Sequence, residues 1–223
     1  EISCSLVGSE MCIRDRKNPE ILFTYGYYLV SYYAWLAKCN FPISDDLQAL
    51  YGDNDWRLTH FFYKRRAVYT AQKSETSGTT GIYGYAFRTA EAYLNRAEAY
   101  AGKGDKDKAL QDLKTIREKR LKVYEEVQAV TKEDVIRRVR EERRRELSFE
   151  FHRWFDLRRW DRPRIEHTFT PDIKQPDVVE KYVLEKDDPA YTLPLPRSVV
   201  EYDPTLVDNP RPQRENQNVT GEN

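Results

Sequence analysis

The sequence of 223 residues holds one Met, three Cys and nine Gly, and no long apolar run. A membrane-spanning helix needs about 18–20 consecutive apolar residues, and charged or polar groups interrupt every candidate stretch, so no segment reads as such a helix. Neither charge is in excess: 37 Lys plus Arg face 37 Asp plus Glu, for a net charge of zero. That balance excludes a whole-molecule field that would gather nucleic acid or an anionic membrane. The first residues lack the basic start, apolar stretch and small-residue cleavage site of a secretory signal, and the single Met is Met11. Motifs that carry chemistry are scarce as well. There is no Gly-rich phosphate loop, zinc-ligand spacing or Ser nucleophile elbow. A glycosidase needs two carboxylates flanking one bond, and among 37 acids nothing singles out a pair. The expectation is a chain with no catalytic residue, no metal and no cofactor.

What is present points to a folded, polar-surfaced protein. Leu, Ile, Val and Phe make up about 22% of the chain, above the range in which disorder is the default. Charged residues reach 33%, and 16 Tyr give an aromatic-rich composition. The stretch CSLVGSEMCIRDR, residues 4–16, resembles a translated sequencing-library adapter. Residues 1–16 are therefore set aside as non-native, and the natural sequence is expected from near Lys17. Cys39 is then the cysteine that remains. His60, His152 or His167 could in principle serve it as a base, but no nucleophile signature surrounds it, so it reads as a small buried or half-buried residue.

Along the chain, NPEILFTYGYYLVSYY reads as an extended aromatic segment, and Ser44 as the N-cap of a short helix stopped by Gly52. DNDWRLTHFFYKRRAVY is mixed, and residues 72–81 form a polar loop. Ala90, Tyr93, Leu94, Ala97 and Tyr100 fall at helical spacing, Gly102 and Gly104 interrupt, and Ala109, Leu110, Leu113 and Ile116 resume. The pattern is a helix hairpin with the large, small, aromatic, turn and small places of a tetratricopeptide repeat. Thr131 and Asp134 form a capping box for a helix expected to run on through VIRRVREERRRELSFEF. Its arginines alternate with acids at i,i+4 spacing, which predicts a helix laced by ion pairs rather than one that meets phosphates. Trp154, Phe155, Leu157 and Trp160, set among Arg153, Asp156, Arg158 and Arg159, predict a packed cluster of charges and aromatics. Residues 171–188 read as a loop, YTLPLPRSVV as extended, and residues 211–223 as a mobile polar tail.

The block RTAEAYLNRAEAY, the long run ERRRELSFEFHRWFDLRRW, and the closing YTLPLP and DNP resemble the C-terminal region of the SusD/RagB family. NPEILF and the Asp55, Arg57 pair resemble weaker landmarks of the same family. The resemblance implies a mainly α fold: a tetratricopeptide-like helix hairpin and long helices with a loop-rich, aromatic ligand-binding region. Residues 17–210 would be the C-terminal part of such a domain, with other helices of the family fold lying outside this chain. It implies noncatalytic binding of a glycan, oligosaccharide or related nutrient at the bacterial cell surface. Ligand would then pass to a SusC-like TonB-dependent transporter in the outer membrane. The membrane link would be an N-terminal lipid anchor missing from this chain, and Cys4, Cys12 and Cys39 are not that anchor. Glu142, Arg143, Glu146, Arg153 and Asp156 carry the family signature and are expected to serve structure, tying the last long helix to its neighbours.

A glycan surface needs flat aromatic faces for the C–H side of the sugar and a few polar groups for its hydroxyls. YGYYLVSYYAWLAKCNF has that composition, and the candidate ligand residues are Tyr32, Tyr33, Trp35 and Asn40, with Trp56 behind them. The alternative from another class is a tetratricopeptide-type scaffold for protein partners, and a glycan hydrolase stands behind both.

Overall fold

A computed structural model of the chain describes residues 20–24, 43–65, 68–71, 86–169, 178–210 and 217–220. Their fold is mainly α, as expected, with short antiparallel strands. β1 (Ile21–Thr24), α1 (Asp45–Gln48), α2 (Arg57–His60), β2 (Phe62–Arg65), β3 (Val68–Ala71) and β4 (Ala86–Arg88) come first. Three longer helices follow: α3 (Thr89–Lys103), α4 (Lys106–Arg117) and α5 (Lys132–Glu146). After them come α6 (His152–Arg159), β5 (Ile165–Phe169), β6 (Val178–Leu184), a 3-10 turn at Pro189–Tyr191, α7 (Arg197–Tyr202) and β7 (Gln217–Thr220). The chain divides into two compact units, Glu1–Arg153 and Trp154–Asn223.

In the first unit, the small side chains of α3 and α4 decide the packing. Ala97, Ala101 and Ala109 are buried with Leu94, Leu113 and Ile116, so the two helices approach closely. The turn between them needs a left-handed residue, and Gly104 supplies it at φ 83°. Its N–H and that of Asp105 donate to the carbonyls of Ala101 and Tyr100, closing the end of α3. Val135 and Val139 of α5 complete this core, where each fully buried aliphatic side chain contributes about 1.5–3 kcal/mol. Both halves of the Thr131–Asp134 capping box form at the start of α5, at 3.0 and 3.2 Å. A second cluster gathers Ile43, Leu47, Tyr51, Phe61 and Phe62, with Ser44 capping α1. β2 pairs with β3, and β1 with β4, both antiparallel.

Helix α5 stops earlier than its sequence suggests. A helix continuing to Phe151 would give the Glu146 carbonyl to the N–H of residue 150, but Arg88 Nη2 takes that carbonyl at 3.1 Å, while the Glu150 N–H donates to Leu147. Phe149 and Phe151 then turn left-handed at φ 60° and 64°, and α6 begins afresh at His152.

The second unit holds an antiparallel sheet in the order β5-β6-β7. It revises three sequence readings. The supposed loop at residues 171–188 contains β6, whose VVEKYVL is rich in the β-branched and aromatic residues that favour a strand. The polar tail expected to be mobile contributes β7, paired with β6. The extended reading of YTLPLPRSVV ends at Pro196, after which α7 forms with Arg197 bonded to Glu201 at 2.7 Å. The YTLPLP and DNP stretches are joined: Asp208 accepts from Leu195 N–H at 2.8 Å, and the Asn209 amide donates to the Leu193 carbonyl at 2.7 Å. Trp154 stacks on Tyr191 at 5.3 Å, and the Tyr191 hydroxyl donates to the Pro163 carbonyl.

Candidate functional site

On α5, Glu142 and Glu146 lie four residues apart on the stripe that also buries Val135 and Val139. Two ionised carboxylates cannot be buried side by side without cations, and helix α5 alone does not supply enough of them. They come from across the unit. Arg57, at the start of α2, reaches Glu142 at 2.7 Å and Glu146 at 3.0 Å, and Asp55 holds the other side of its guanidinium. Arg88, the last residue of β4, bonds to Glu146, Glu150 and Glu20. Arg120, just after α4, bonds to Glu146 and Glu20 at 3.0 and 2.8 Å. Arg117 and Arg145 complete the coordination of Glu142. Five arginines thus meet five acids, and Arg57, Arg88, Glu142 and Glu146 are almost wholly buried.

Burial alone would raise the Glu142 carboxyl, but Arg57, Arg145 and Arg117 more than offset it and hold it at about 2. Glu146 is likewise driven up by burial and down, further, by Arg120, Arg88 and Arg57. Neither carries a proton to donate at neutral pH. Tied to so many guanidinium donors, they are also poor bases. The chemistry of the cluster is that of a clasp joining distant segments of chain.

Of the signature residues, Glu142 and Glu146 lie at the centre of this clasp. Arg143 is buried beside it and donates from Nη1 to Asn95 of α3 at 2.7 Å. Arg153 is exposed at the end of the first unit. Asp156, in the second unit, is buried and accepts from Arg159 Nε at 3.0 Å. Sequence reasoning singled out Asp55 and Arg57 only as landmarks and did not single out Arg88, Arg120, Glu20 or Glu150. The signal was there: a helix whose inward stripe carries two glutamates requires cations from other segments.

Tyr32, Tyr33, Trp35 and Asn40 lie outside the described residues. Trp56 is half-buried at the N-terminus of α2. Its backbone N–H donates to the Arg120 carbonyl at 3.0 Å, Lys122 Nζ sits 5.2 Å from the indole centroid, and His60 meets the ring edge-on. Close by, a pocket of about 340 Å³ opens between the turn at residues 50–55, the stretch at residues 121–128, α4 and α5. Asn54 stitches its two loop walls, donating to the Val123 carbonyl at 2.7 Å and Glu125 at 3.0 Å and accepting from the Val123 N–H at 2.9 Å. Among the described residues no helix is long and apolar enough to cross a membrane, and no group of His, Cys, Asp or Glu is arranged to hold a metal ion.

Two solved structures share this fold. A proposed sugar-binding protein from Bacteroides vulgatus aligns with a TM-score of 0.64 at 24% identity, over 86% of this chain and 46% of its own. A SusD-like carbohydrate-binding protein from the same species aligns with a TM-score of 0.53 at 18% identity, over 78% of this chain and 42% of its own. The chain thus spans less than half the length of either. No functionally curated protein matches it. The SusD family model matches residues 38–211, a range that takes in the capping box, the paired glutamates of α5 and the stitched YTLPLP and DNP stretches. By that match, the chain belongs to the SusD family.

Proposed function

We propose that this chain is part of a noncatalytic protein that binds a glycan or related nutrient at the bacterial cell surface. In this reading the full-length protein is held to the outer membrane by a lipid anchor and passes its ligand to a SusC-like TonB-dependent transporter. The family match over residues 38–211 carries the proposal. The state of the buried acids supports the noncatalytic part, because Glu142 and Glu146 are held ionised by arginines instead of being poised as an acid and base pair. Tyr32, Tyr33, Trp35 and Asn40, with Trp56 behind them, are the proposed ligand contacts. Stacking on such rings and hydrogen bonds from Asn40 would recognise the two kinds of surface that a sugar presents.

Affinity electrophoresis of the full-length protein through gels containing a panel of glycans tests the proposal, with the bound glycan recovered and sized afterwards. The expected result is retardation by at least one glycan, recovered intact. Free migration through every gel, or recovery of shortened glycan, contradicts it.

A further inference from the structure

We draw no further inference here: the strongest candidate, the exposed apolar surface of Leu22, Phe23 and Phe87 on the β1–β4 ribbon of the first unit, carries nothing because nothing in the structure shows what covers it.

Discussion

Replacing Glu146 by Gln changes almost no volume and removes one charge from the centre of the clasp. The wild-type carboxylate is wholly buried and accepts from Arg57 Nη1, Arg88 Nη1 and Arg120 Nε and Nη2, at 3.0 Å in each case. With Gln in place, five arginines face four acids in a region closed to water. Two guanidinium donors would also point at an amide NH₂ that cannot accept. Removing one partner of a buried ionic set costs about 3–5 kcal/mol, because the remaining charge stays desolvated and unmatched. Urea unfolding followed by far-ultraviolet circular dichroism reads this directly. With a slope of about 2–3 kcal/mol per molar, the midpoint should fall by about 1–2.5 M. Glu133→Gln, on the exposed first turn of the same helix, is the control and should stay within about 0.5 kcal/mol of wild type. If Glu146→Gln unfolds within about 0.5 kcal/mol of wild type, the five-on-five matching does not hold the unit together and the reasoning is wrong.

Other expectations follow from single features. The Glu142 carboxyl sits at about 2 when folded, against an ordinary 4.5, because its arginines outweigh the effect of burial. Its contribution of about 3 kcal/mol is present above pH 4.5 and is lost as pH falls towards 2. Urea midpoints measured across that range should decline with acid, and a flat profile contradicts the depressed value. Gly104→Ala should cost about 1 kcal/mol, since an added Cβ meets nothing within 4 Å but the backbone stands at φ 83°. Gly102→Ala, two residues earlier within α3 and also in open space, should instead stabilise by about 0.5–1 kcal/mol. Equal melting temperatures for the two variants would refute the left-handed turn. Thr131→Val removes the hydroxyl that accepts from Asp134 N–H and should cost about 1 kcal/mol in the same urea assay.

These features differ in how plainly the sequence announces them. The α3–α4 hairpin and the capping box are local: the alanine spacing, the glycine and the Thr-x-x-Asp pattern each state their own outcome within a few residues. The end of α5 is not local, because it depends on Arg88, which lies 58 residues before the Glu146 carbonyl it captures. β6 looked like a loop because its partners, β5 and β7, lie in separate segments whose pairing no window of sequence reveals. The clasp was half legible. Glu142 and Glu146 stand out in the signature run, whereas Glu20 and Arg120, 100 residues apart, acquire meaning only when the fold brings them together. Trp56 was placed behind the candidate stacking residues, and the local sequence could not foresee that Lys122 packs against its ring.

The proposed function gives the full-length protein a noncatalytic, nutrient-binding role, with Trp35 among the proposed ligand contacts. Calorimetric titration of the full-length protein with a glycan that retards it in gels, using wild type beside Trp35→Ala, separates these possibilities. Saturable binding by wild type and a loss of about tenfold or more in Trp35→Ala are expected, with both proteins melting at the same temperature. Equal affinity in the two proteins would remove Trp35 from the ligand face, and no binding heat from wild type would contradict glycan binding by this protein.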